Sequence, residues 1–69
     1  MKLRCNLEQL IKESGLRKDF IAKKLGISTK QLRNYETMKS FIPMDKAFML
    51  AEILNCKIED LYTKEEENK

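Results

Sequence analysis

The sequence has no histidine and no tryptophan, and only one proline, two glycines and two cysteines in 69 residues. Without histidine, the chain lacks the side chain most used for acid–base chemistry near neutral pH. Cys5 and Cys56 stand far apart in sequence, form no Cys-x-x-Cys pair and have no histidine to complete a zinc site. Neither a metal centre nor any other cofactor is therefore expected. The two thiols read as reduced side chains of a cytoplasmic protein. No apolar run approaches the ~20 residues of a membrane span. The first residues show no apolar stretch followed by a small-residue cleavage site, so no signal peptide is expected. A glycine-rich phosphate loop is missing, as is a carboxylate pair with an evident pocket, and an enzyme is not expected. The aromatics Phe20, Tyr35, Phe41, Phe48 and Tyr62 fall at core-like spacing, which argues against a base-stacking platform for RNA.

What is present is charge and helix-forming residues. Charged residues make up 36% of the chain, with a net charge of +3. The distribution says more than the total. Lys12 to Lys39 carries eight basic residues against three acidic ones, a net +5, and the remainder carries −2. One part of the surface suits phosphate and another would avoid it. The length allows one small domain. Residues 1–63 read as that domain and 64–69 as an acidic, frayed tail.

Hydrophobic spacing predicts five short helices and an all-α fold. The first covers about Asn6–Ser14, with Asn6 as N-cap, Leu7, Leu10 and Ile11 on one face, and Gly15 ending it. The second covers about Arg17–Leu25, with Ile21, Ala22 and Leu25 inward, and Gly26 closing it. The third follows the N-cap Ser28 and runs to about Thr37, anchored by Leu32 and Tyr35. Pro43 pre-sets the first turn of a fourth helix, whose stripe is Ala47, Leu50, Ala51 and Leu54. Asp45 suits that helix's dipole, and Asn55 can take the left-handed position after it. A fifth, short helix is expected over Ile58–Tyr62.

The stretch from Lys18 to Tyr35 is the most informative. Two short helices crossing steeply over a tight turn need a small residue at their approach, a positive φ at the corner, a plug beneath it and a cap for the next helix. Ala22, Gly26, Ile27 and Ser28 meet those needs in order. The third helix then leaves Thr29, Lys30, Gln31, Arg33 and Asn34 facing outward, an unusual number of hydrogen-bonding groups for a helix with two anchors.

With these residues in place, the chain resembles the phage repressor/Cro-like family, often called Xre-type regulators. The resemblance runs from about Leu7 to Tyr62. It is carried by Gly15-Leu16, Ile21-Ala22, Leu25-Gly26-Ile27-Ser28, Tyr35-Glu36, Pro43 and the run from Ala51 to Leu61. It implies a compact five-helix domain that reads double-stranded DNA with its third helix, as a homodimer on a palindromic operator. The short form suits a regulator of a phage or mobile element. Thr29, Lys30, Gln31 and Asn34 match the family's base-reading positions, with Arg33 alongside. Gln and Asn pair with adenine, and Lys and Arg donate to guanine. Phosphate contacts are expected from Arg17, Lys18, Lys39 and Ser40. Leu54, Cys56, Ile58, Leu61 and Tyr62 lie where related regulators build a dimer interface. Phe41, Ile42, Met44, Phe48 and Met49 form a second apolar group with the same potential.

The sequence also departs from the family pattern. Arg17 and Lys18 stand where Ser or Thr and then Gln are usual. Ile11 replaces an arginine that usually pairs with the acid at Glu36, so Glu36 is left to meet Lys12, Lys39 or water. Met38 replaces a glycine. A different class of function uses the same fold: a protein-interaction module, such as an antitoxin whose surface covers its toxin.

Overall fold

In the computed structural model, which describes residues 2–65, the chain forms four α-helices, a 3₁₀ turn and a two-stranded sheet. The order is β1 (Lys2–Cys5), α1 (Leu7–Ser14), α2 (Lys18–Leu25), α3 (Thr29–Glu36), α4 (Met44–Leu54), the 3₁₀ turn (Ile58–Asp60) and β2 (Tyr62–Glu65). The expected all-α, five-helix fold is corrected at both ends.

The fifth helix fails for a local reason and a distant one. Its start is held as a tight turn, because the Asp60 carboxylate accepts the Lys57 N–H at 3.0 Å and Ile58 O accepts the Leu61 N–H at 3.0 Å. The chain then extends because β1 offers a partner. The strands pair antiparallel, with Lys2 opposite Glu65 and Cys5 opposite Tyr62. Tyr and Thr favour this pleated setting. The boundary expected after Thr63 falls inside β2, where Lys64 and Glu65 face Leu3 and Lys2. The rest of the expected tail, 66–69, lies outside the described residues.

Asn6 sits at the junction of ribbon and helix, but not as the expected side-chain cap. Its backbone is at φ −100°, ψ 9°, and its side chain makes no cap bond to α1. Instead the Asn6 amide donates to Asp60 O at 3.0 Å and Thr63 Oγ1 at 2.7 Å, and its N–H donates to Leu61 O at 2.8 Å. One residue thus ties the N-terminal strand, α1 and the C-terminal strand together.

The remaining helix ends follow from residue type. Gly15, Gly26 and Asn55 take the left-handed conformation after α1, α2 and α4. Pro43 stands one place before α4 rather than in its first turn, and its carbonyl accepts the Ala47 N–H at 2.8 Å. The core gathers Leu7 and Ile11 from α1, Ile21, Ala22 and Leu25 from α2, Leu32 and Tyr35 from α3, Ala47 and Leu50 from α4, and Leu61. Each fully buried leucine stabilises the fold by about 1.5–3 kcal/mol. Cys5, Ile27 and Tyr62 are partly buried against it.

Candidate nucleic-acid interface

The α2–turn–α3 unit is built almost wholly from short-range bonds. Gly26, at φ 74°, turns the chain, and its N–H and that of Ile27 reach back to Lys23 O and Ala22 O at 3.1 and 3.0 Å. This closes α2 and leaves its last carbonyls satisfied. Ser28 is extended, and its Oγ accepts the Gln31 N–H at 3.0 Å, satisfying one of the free donors at the start of α3. Leu32 is fully buried and Tyr35 nearly so, which fixes the roll of α3 about its axis.

That roll decides which side chains point outward. Thr29, Lys30 and Arg33 are exposed, and Gln31 and Asn34 are half-buried. The Asn34 amide lies 3.4 Å from Gln31 Oε1 and donates to it, so the two amide side chains form one unit on the helix surface. All five retain polar atoms at the surface of a helix pinned from behind.

The expected phosphate-contacting residues fall into three situations. Arg17 is open to solvent and pairs with Asp19 at 3.3 Å, both side chains being well exposed. Such a pair is weak and easily exchanged. Asp19 also takes the Phe20 N–H at 2.9 Å, placing a negative charge at the start of α2. Lys39 is exposed and Ser40 half-buried, but their backbone N–H groups turn back to Asn34 O at 2.9 and 3.2 Å. Only their side chains are left for a ligand. The turn that achieves this places Met38 at φ 67°, in the left-handed region that glycine prefers.

Lys18 is in a third situation. Its ammonium lies 3.1 Å from Glu36 Oε1, and the Glu36 side chain is only 2% exposed. This corrects the expectation that Glu36 meets Lys12, Lys39 or water. Neither partner's charge is legible as paired from the sequence, since the two residues stand at opposite ends of the two-helix unit, 18 positions apart. The expected arginine position is filled by the apolar Ile11, so Glu36 finds its cation at the N-terminus of α2 instead. Among the described residues, Glu36 Oε2 is buried with no hydrogen-bond partner.

The two apolar groups separate in the fold. Leu61 is 1% exposed, so it belongs to the core, and Leu54, Cys56, Ile58 and Tyr62 are half-buried. The Tyr62 hydroxyl accepts the Ile42 N–H at 3.1 Å, and its ring meets that of Phe41 at 6.2 Å, which fastens the α3–α4 loop to β2. The exposed apolar surface is made instead by the second group: Phe41, Met44 and Phe48 are each at least 60% exposed. Met44 and Phe48 share one face of α4, four residues apart, and a shallow groove continues from Phe48 past Ala51 and Cys56 to Ile58. On α2, Phe20 is also exposed, with the Lys24 ammonium 5.6 Å from its ring centre.

Both cysteines are free, and burial raises both thiols above their ordinary value. For Cys5 the negative charge of Glu36 adds to that rise, while a backbone bond involving Leu7 opposes it. Among the described residues no His/Cys/Asp/Glu group has the arrangement to hold a metal ion, and no helix is long and apolar enough to cross a membrane.

A family model described as a Cro/C1-type HTH DNA-binding domain matches residues 6–67. No curated protein matches the chain.

Proposed function

The chain belongs to the Cro/C1-type helix-turn-helix DNA-binding domain family, and we propose that it is a sequence-specific regulator that reads the major groove of double-stranded DNA with α3. The observation that carries this reading is the α3 surface. Two buried anchors fix the helix, and Thr29, Lys30, Gln31, Arg33 and Asn34 stand on the side they leave free. Side chains near the start of such a helix reach base edges. Gln31 and Asn34 supply paired donors and acceptors suited to adenine, and Lys30 and Arg33 donors suited to guanine. Arg17, just before α2, and Lys39 and Ser40, just after α3, would contact the phosphates, fixing register without reading sequence.

A domain this small reads only a few base pairs, so affinity calls for a second copy. The face made by Phe41, Met44 and Phe48 is the surface we assign to a homodimer, which would set two α3 helices ~34 Å apart on a palindromic operator. Leu54, Cys56, Ile58 and Tyr62, half-buried beside it, would line the edge of that contact. In this reading the protein acts in the cytoplasm and uses no cofactor.

The test is selection of binding sites from random duplex DNA at two salt concentrations. The expected result is a palindromic motif whose preferred bases change in Gln31→Ala. Weak binding that moderate salt abolishes, with no preferred sequence, would sink the reading. The same exposed apolar face favours a second reading, in which the fold serves a protein partner in the manner of an antitoxin. Loss of sequence preference with retained partner capture through Phe48 would establish it.

A further inference from the structure

We infer that Lys18 is a positioning residue for sequence reading, not a phosphate contact: its ammonium ties the first turn of α2 to the last turn of α3 through the buried carboxylate of Glu36. The inference rests on the DNA-reading function proposed above and assigns one residue of that site a different role. Lys18 Nζ and Glu36 Oε1 are 3.1 Å apart, and the two side chains differ greatly in exposure, 44% against 2%. The carboxylate is therefore the group that depends on the pair. A buried charge that loses its partner is far more costly than an exposed one, because only the exposed one can turn to water. Glu36 Oε2 has no hydrogen-bond partner among the described residues, so Lys18 supplies the only bond to the carboxylate there.

The position of the pair gives it consequence. Glu36 is the last residue of α3 and follows the anchor Tyr35. Lys18 opens α2. Gly26 and Ser28 fix the near ends of these two helices at the turn, and the ion pair fixes the far ends. A two-helix unit held at both ends has one crossing angle, and that angle sets how Gln31 and Asn34 meet base edges. An ammonium held against a carboxylate is, in addition, largely neutralised as seen by a phosphate.

Glu36→Gln is the discriminating variant, because the exposed Lys18 it releases finds water and the fold is kept. The expected result is a specificity ratio, the selected duplex against an unrelated one, that falls by about tenfold. Affinity for the selected duplex falls, while binding to the unrelated duplex is unchanged or tighter, because the released ammonium is no longer neutralised. Lys18→Met is expected to lower the same ratio without changing the slope of log K against log salt. Lys18→Arg should restore the ratio, and Lys18→Met combined with Glu36→Gln should be less impaired than Lys18→Met alone. If Lys18→Met alone does not fold by circular dichroism, Glu36→Gln and the double variant carry the test, since neither leaves an unpaired buried charge. A salt slope shallower by about one in Lys18→Met would make Lys18 a phosphate contact and overturn the inference. A parent protein that selects no duplex would remove the DNA reading itself. A parent that selects one, with Glu36→Gln unchanged, would remove only this role for Lys18.

Discussion

Between Lys18 and Glu36, the bonds that end α2 and begin α3 span no more than five residues: Gly26 to Lys23, Ile27 to Ala22, Gln31 to Ser28. Between the termini, the bonds that form the ribbon join residues more than fifty positions apart, as in Asn6 to Asp60 and Cys5 opposite Tyr62. The first unit is specified where it stands. The second exists only after the rest of the chain has brought its halves together. Local closure costs little chain entropy, whereas long-range closure must be repaid by contacts already made elsewhere. The α2–α3 unit presents the proposed reading surface, and the ribbon packs Cys5 and Tyr62 against the core.

Four substitutions test this contrast, from the largest expected effect to the smallest. Leu32→Ala removes the fully buried anchor behind the reading face. It should cost about 3 kcal/mol in urea unfolding. That is a large part of the stability a domain of this size holds. A cost below about 1 kcal/mol would show that α3 is not held by its own anchor. Asn6→Ala and Ser28→Ala form the next test. Each removes one polar side chain and should cost about 1 kcal/mol. Hydrogen exchange should separate them: Asn6→Ala should expose the amides of Tyr62–Glu65, while Ser28→Ala should leave these protected. Equal loss of ribbon protection in both would break the division into local and long-range parts. The smallest effect is expected at Met38, held at φ 67°. Met38→Gly relieves the left-handed strain but frees the unfolded chain, so a net gain of about 0.5 kcal/mol is expected by thermal unfolding. A net loss would mean that the half-buried Met38 side chain contributes more than its backbone costs.

Much of the local structure was legible in residue type. Gly15, Gly26 and Asn55 stop their helices because few other residues tolerate positive φ. Ser28 caps because a short hydroxyl reaches the third N–H of a helix, and Leu32 with Tyr35 sets which side of α3 is left for polar groups. Asn6 shows the limit of such reasoning. As a residue type it reads as a cap, but two distant acceptors, Asp60 O and Thr63 Oγ1, draw its amide away from α1. The expected fifth helix fails similarly. The apolar spacing of Ile58, Leu61 and Tyr62 fits a helix, yet a free strand at Lys2–Cys5 gives Tyr62 onward a better set of bonds. For the apolar groups, spacing showed that more hydrophobic residues exist than one stripe needs, but not which of them stay outside.

The sequence by itself determined the four main helices, the turn at Gly26, the capped start of α3 and the polar character of its outward face. Each of these depends on backbone preferences and contacts within a few residues. Only the tertiary structure decided that Lys18 belongs to Glu36, that Leu61 is core while Phe41, Met44 and Phe48 are surface, and that the two ends of the chain form a ribbon. These depend on which distant groups come within bonding distance once the core has closed, and local pattern carries no information about that.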